Sequence, residues 1–389
     1  MGMGGTPKRK KTTAADLPEE LIRREILTRL PVRSLVRFKS VSKSWLSLFS
    51  EPRFINQHLT HSTTQNHNDC LVATRNTKVV ILSRYEEIVA LDSAHILDVV
   101  GSVRGLVCLT GRNMLSLWNP ATHQSKETFA EARFADRAYD IGFGFDPVSD
   151  NYKLVILSED LRFAMVYHSN SDNWIEISAP DNVFDNIRGA YSTSSVTIVK
   201  DCPYWAFCRY TKDRHMMATA VKFDAGRNEF KLLPEFVCEH RVRGSKFVDM
   251  NDCLTSVVYV YDNDPFSKRM LSLFSLDGDE GCCVWSKMYT IGPFNGWFVV
   301  VQGFSGGEIV FDDRGKFCCY DRKTDKINYM LLNTSSATTS DWRISCFRYT
   351  PSLAFIQGMK SVFYSTTRTR RASVQYSRVP QGLYNGLKY

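Results

Sequence analysis

The 389-residue sequence has no apolar run near the roughly 18 residues of a membrane-spanning helix; its densest is WFVVV at 297–301. It also lacks a secretory signal: basic KRKK (Lys8–Lys11) is followed by polar TTAAD, where such a signal needs an apolar centre. The chain is therefore expected in the cytoplasm and/or nucleus, with KRKK either a nuclear address or a solvated tail. CxxC is absent among the 11 cysteines, and a reducing compartment argues against disulfides. Two adjacent pairs exist, Cys282-Cys283 and Cys318-Cys319. Neighbouring strand residues face opposite ways, so neither pair converges on one metal. These cysteines read as small apolar side chains. The eight histidines show no HxH or HExxH spacing, so neither metal nor cofactor is expected. The formal charge of +8 is diffuse, which fits attraction to acidic surfaces but makes no case for nucleic acid. Asn333-Thr334-Ser335 is a glycosylation sequon that a non-secreted chain never uses.

What is present is a soluble globular composition, 43% hydrophobic and 23% charged, with 12% aromatic residues that suit a sheet-rich body. The chain divides near residue 60. Before it, Leu17, Leu21, Ile22, Ile26 and Leu30 recur at three- to four-residue steps and form one apolar stripe. Pro18 suits a first helical position, and Glu19 and Glu20 favour the positive end of the helix dipole. Pro31 ends that helix and opens the next, on which Leu35, Val36, Phe38 and Val41 continue the stripe. Ser42 is placed to cap a short helix carrying Trp45, Leu46 and Phe49. Residues 61–69, HSTTQNHND, have linker or loop composition.

Beyond the linker come short apolar runs between turn residues: KVVILS (78–83), GLVCLTG (105–111), YKLVILS (152–158), SVTIVK (195–200), TSVVYVYD (255–262) and WFVVVQG (297–303). This is the pattern of an all-β sandwich or propeller. One hairpin type recurs, as in LSLWNPATHQSKETF (115–129) and AVKFDAGRNEFKLLP (220–234). With Trp118, Tyr167, Phe223, Leu276 and Tyr320 as equivalent marks, the steps are 49, 56, 53 and 44 residues. Their average of about 50 matches a four-stranded blade of kelch length, which favours a propeller and leaves the blade number open.

Catalytic patterns are weak. GFSGG (Gly303–Gly307) matches a nucleophile elbow, but a strand-like EIVFDD follows where the elbow needs a helix, so Ser305 reads as a turn residue. IGFGFD (141–146) lacks the third glycine and following helix of a phosphate loop. The basic RTRRASVQYSR (368–378) reads as a solvated end, or as a patch for an acidic partner in which Ser373 follows two arginines.

Residues 16–60 resemble a plant-type F-box: Leu17-Pro18, Leu21, Ile26-Leu27, Leu30-Pro31, Leu35, Arg37-Phe38, Val41-Ser42-Lys43, Trp45 and the terminal Pro52-Arg53-Phe54. Many relatives place Arg after the motif Trp, where this chain has Leu46. The second region resembles the F-box-associated domain through GLVCL (105–109), LWNPAT (117–122), IGFGFDPVSDNYKLV (141–155), DNWIEI (172–177), YWAF (204–207) and FDAGRNEFKLLP (223–234). The double glycine of true kelch repeats is missing from most hairpins, so "kelch-like" describes length and layout only.

The implied fold is a small all-α F-box followed by an all-β, kelch-like β-propeller. Its expected divisions are a tail at 1–15, the F-box at 16–60, a linker at 61–70, the propeller at 71–379 and a tail at 380–389. The implied function is that of a non-catalytic substrate receptor in a cullin-RING (SCF-type) ubiquitin ligase. The resemblance assigns docking of a Skp-type adaptor to Leu17, Pro18, Leu21, Ile26, Leu27, Leu30, Pro31, Leu35, Phe38, Val41 and Trp45. A target protein would bind the propeller, with connections 130–140, 178–190 and 235–250 expected to contact it. Burying about eight apolar side chains at roughly 1.5–3 kcal/mol each can exceed an association cost of roughly 4–15 kcal/mol. The stripe is therefore expected to be covered by a foreign subunit rather than by the chain's own second domain. The alternatives are an F-box scaffold without a ligase role, or a carbohydrate- or ligand-binding propeller with a site at its central channel.

Overall fold

Helices form at the N-terminal end where the sequence stripe places them. In the computed structural model, Pro18 (φ −52°, ψ 133°) precedes α1 (Glu19–Leu21), which continues through a wide π-type turn, Ile22–Ile26, and a tight 3-10 turn, Leu27–Arg29. Leu30 is extended (φ −79°, ψ 145°), as a following proline requires, and Pro31 opens α2 (Val32–Phe38). The Ser42 hydroxyl caps α3 (Lys43–Leu48) by accepting from the Trp45 backbone N–H at 3.2 Å. α4 spans Pro52–Thr64. The helix thus runs past the boundary near 60. The hydroxyls of Thr60, Thr63 and Thr64 donate to backbone carbonyls three or four residues earlier, which lets polar HSTT stay helical. The structure describes residues 18–362 except 65–69, 76–77, 84–85, 93–95, 112–113, 130–140, 159–160, 179, 188–189, 214, 239–241, 261–268, 279–282, 295–297, 304–308, 314–315, 322–323, 325 and 330–345.

Six antiparallel sheets follow, arranged as a six-bladed β-propeller. β1 (Cys70–Arg75), β2 (Lys78–Ser83) and β3 (Glu86–Asp92) begin blade 1. Blade 2 is β4 (Ile96–Val103), β5 (Leu106–Gly111), β6 (Leu115–Asn119) and β7 (Gln124–Thr128). Blade 3 is β8 (Ile141–Asp146), β9 (Asn151–Leu157), β10 (Phe163–His168) and β11 (Asn173–Ser178). A short α5 (Asp181–Phe184) leads to blade 4: β12 (Tyr191–Val199), β13 (Cys202–Tyr210), β14 (Met216–Asp224), β15 (Glu229–Leu232) and β16 (Phe236–Cys238). β15 and β16 both pair with β14 and are two halves of one outer strand, interrupted where Pro234 has no N–H to give. Blade 5 is β17 (Val242–Met250), β18 (Cys253–Val260), β19 (Arg269–Asp277) and β20 (Val284–Phe294). Blade 6 is β21 (Phe298–Gly303), β22 (Ile309–Asp313), β23 (Lys316–Asp321) and β24 (Lys326–Tyr329). The chain then returns. β25 (Cys346–Tyr349) supplies the inner strand of blade 1 beside β1, and β26 (Lys360–Ser361) adds to the outer edge of blade 2 beside β7.

The five repeat marks, Trp118, Tyr167, Phe223, Leu276 and Tyr320, all lie on the third strand of their blades. Trp118, Tyr167 and Phe223 are among the largest fully buried side chains, each filling the core between adjacent blades. Blade 1 carried no mark because its strands come from both ends of the chain. IGFGFD is the inner strand of blade 3: a Cβ on Gly142 would lie 2.5 Å from Trp205 Cζ2, so its glycines admit the neighbouring blade. Gly303 pairs with Ile309 across a β21–β22 hairpin, so GFSGG joins two strands; Ser305 itself lies outside the described residues.

Strand alternation sorts the connections onto two faces. Turns between first and second strands and between third and fourth strands share one face. On it, Arg104-Gly105, Lys200-Asp201 and Asn251-Asp252 all have positive φ (45° and 84°, 48° and 62°, 54° and 59°), the primed geometry of tight two-residue hairpins. Second-to-third turns and blade-to-blade connections share the far face. The expected target contacts fall as follows. Residues 130–140 lie outside the described residues. Residues 178–190 hold α5, whose Val183 and Phe184 are buried with Ile187 on Phe230 and its neighbours. Residues 235–250 are mostly strand, β16 and β17, because Phe236, Cys238, Phe247 and Val248 are core side chains.

Candidate functional site

The helical module and the turn face meet directly. Leu27, Val32, Leu35, Leu48, Phe49 and Phe54 form a buried core that also takes in Leu353, and Ala121 packs against it. Leu353 follows β25, and Ala121 belongs to the β6–β7 turn. An aromatic series crosses the module, with ring centroids 5.4 Å apart for Phe38–Trp45, 6.0 Å for Trp45–Phe49 and 5.3 Å for Phe49–Phe54. His58 of α4 ties down the break between helices, its Nε2 lying 2.8 Å from the Leu30 carbonyl oxygen, so the neutral ring donates there. Burial first, then nearby His61, pushes the His58 pKa down against the opposing effect of the Leu30 bond. Its Nδ1 is buried with no hydrogen-bond partner among the described residues.

Arg104 joins module to propeller. Its guanidinium donates to Asn56 Oδ1 of α4 at 2.7 Å, pairs with Asp201 at 3.3 Å, and stacks 4.4 Å over the Phe145 ring. Arg33 of α2 lies close enough to His123 to reinforce burial in lowering that histidine's pKa.

The expected docking residues separate by exposure. Leu21, Ile26 and Val41 are exposed (46%, 41% and 63%), as are Pro18 and Pro31. Leu30, Phe38 and Trp45 are half-buried against the module core, and Leu27 and Leu35 lie inside it at 2% and 0%. Leu17 is outside the described residues. Leu46, exposed at 48%, joins the outward apolar group although the motif did not select it. The stripe is therefore shared: the propeller side closes one part and the other faces solvent. Leu353, Ala121, Arg104 and Asn56 carry no sequence signal for this contact, because their partners lie tens to hundreds of residues away.

Comparison with known proteins resolves the family. The F-box domain profile matches residues 15–57, and that of the F-box associated beta propeller domain matches 58–356. The chain belongs to the F-box proteins with an F-box-associated β-propeller. It is similar to the F-box/kelch-repeat protein At3g23880 of Arabidopsis thaliana, 26% identical over 358 residues, covering 82% of this chain and 92% of that one. A second Arabidopsis thaliana relative, F-box/kelch-repeat protein At3g44120, is 24% identical over 386 residues, covering 89% and 97%. Among solved structures, Kuenenia stuttgartiensis hydrazine synthase aligns with a TM-score of 0.39 and 11% identity over 63% of this chain and 70% of that one, too distant to carry an argument. An F-box followed by a β-propeller is the architecture of SCF-type substrate receptors, and F-box domains in general bind Skp-type adaptors.

The Ile198 side chain on β12 occupies the space where a Cβ on Gly101 of β4 would sit, so the inner strands of blades 2 and 4 touch.

Proposed function

We propose that this F-box protein is the substrate-recognition subunit of a cullin-RING ubiquitin ligase. The F-box docks a Skp-type adaptor, and through it the cullin-RING scaffold, while the propeller holds a target protein. Transfer of ubiquitin to the target lysine is left to other subunits; this chain contributes proximity and orientation. The supporting observation is that Leu21, Ile26, Val41 and Leu46 stay exposed after the propeller has closed the other side of the same helices. Those four, with Pro18 and Pro31 and the rims of Leu30, Phe38 and Trp45, form the adaptor surface. Leu27 and Leu35 support it from beneath. The F-box occupies the turn face, so the target binds on the far face.

Co-purification from co-expressing cells tests this. Val41→Asp changes an exposed side chain and should abolish adaptor binding with the circular dichroism spectrum unchanged. Full adaptor binding by Val41→Asp and Ile26→Asp together would reject the reading. Reconstituted ubiquitination separates a ligase receptor from an F-box scaffold, which would bind adaptor and modify nothing.

A further inference from the structure

We propose that residues 350–361 set the angle at which the F-box stands on the propeller, with Leu353 and Asn119 as positioning residues. The segment leaves β25, passes under the F-box across the turn face, and ends as β26 on blade 2. Leu353, 2% exposed, enters the F-box core, whereas Ala354, Ile356 and Met359 enter the core between blades 2 and 3. One strap therefore contributes side chains to both bodies.

The Asn119 side chain, fully buried at the end of β6, reads both neighbours at once. Its Oδ1 accepts from the Ala121 and Thr122 backbone N–H groups at 2.9 and 3.2 Å, closing the β6–β7 turn. Its Nδ2 donates to the Ser352 and Ala354 carbonyls at 3.1 and 2.8 Å. The matching position in blade 4 is Asp224, whose Oδ1 closes its turn in the same way through Gly226 and Arg227. Asp277 and Asp321 occupy that position in blades 5 and 6. A carboxylate suffices to close the turn, but only an amide can also donate to two carbonyls, and asparagine stands where the strap crosses.

The strap reaches α4 as well. Ser352 Oγ donates to the Arg104 carbonyl at 3.0 Å, and the Arg104 guanidinium donates to Asn56. Lys126 Nζ fixes the far end by donating to the Gln357 carbonyl at 2.9 Å. In a ligase receptor this angle decides which target lysines come within reach. That consequence rests on the proposed function; the positioning itself does not.

Hydrogen exchange on the full free chain tests the proposal. Asn119→Asp keeps the turn acceptor and removes both donors to the strap. Amides of 350–361 and of α4 should then exchange on the order of tenfold faster, with β12 to β20 unchanged. Leu353→Ala should loosen the same two regions, and Asp224→Asn neither. If the strap loosens while α4 keeps its protection in both variants, the strap does not position the F-box. If every blade loosens with it, the strap only closes the ring, and the proposal also falls. Neither measurement involves an adaptor, so failure here leaves the docking reading standing, and the reverse.

Discussion

Phe49 in the F-box and Trp118 in the propeller are both fully buried, yet what buries them differs. Trp118 sits between blades 1 and 2, in a ring closed where β1 is hydrogen-bonded to the returning β25. Phe49 sits in a helical module near the size below which chains rarely fold alone. Its core borrows Leu353 and Ala121 and still leaves four large apolar side chains in solvent. Cores closed by neighbouring blades make a self-sufficient body. A core closed partly by a strap and still apolar outside makes a docking module.

The sharpest way to break that comparison is to empty each core. Phe49→Ala should cost about 3–5 kcal/mol and melt the F-box while the propeller keeps its sheet signal; Trp118→Ala, of similar cost, should lower the propeller's own transition. Calorimetry with circular dichroism distinguishes the two. Next is the buried cation Lys153, 3% exposed. It pairs with Asp146 at 3.4 Å and donates to Asn228 Oδ1 at 2.9 Å and to the Ala225 carbonyl, joining blade 3 to blade 4. Lys153→Ala removes the inter-blade donor and leaves the Asp146 carboxylate to its bonds from Val148 and Ser149 alone; it should destabilise the propeller by about 3 kcal/mol in denaturant titration, leaving adaptor binding intact.

Acid should move the contributions of His58 in the F-box and Asp249 in the propeller in opposite directions. His58 has its pKa lowered by burial, so the unfolded module binds the proton more readily. F-box stability should therefore fall as pH drops below the free histidine value of about 6.5. Asp249 in blade 5 has its pKa raised to about 6, chiefly by burial and against the pull of Arg348. The folded state takes up that proton first, so its contribution to propeller stability should grow as pH falls from about 6 towards 4. Exchange protection of α4 and β17 across this range reads both, and His58→Gln and Asp249→Asn should each flatten one profile. The smallest effect is expected at Arg29–Glu25, an exposed i,i+4 pair at 2.6 Å whose loss in Arg29→Ala should cost about 0.5 kcal/mol or less.

The two regions also differed in legibility. Helix starts and stops at Pro18, Pro31 and Ser42 were local signals, and each acts at or within one residue of the position its chemistry predicts. The repeat marks were legible because every blade must fill the same inter-blade space with a large side chain from its third strand. Blade 1 was not, since its inner strand comes from the other end of the chain. Which residues of the apolar stripe face solvent was equally hidden. Leu35 and Val41 are both apolar in the sequence, and only the packing of the module's core, Leu353 included, separates the buried one from the exposed one.

Hydrogen exchange on the full-length chain with and without a Skp-type adaptor tests the central claim most directly. Protection should be gained around Leu21, Ile26, Val41 and Leu46, with none gained at 350–356, which the chain already covers. Binding that protects the far face of the propeller and leaves those four residues unchanged would contradict the account.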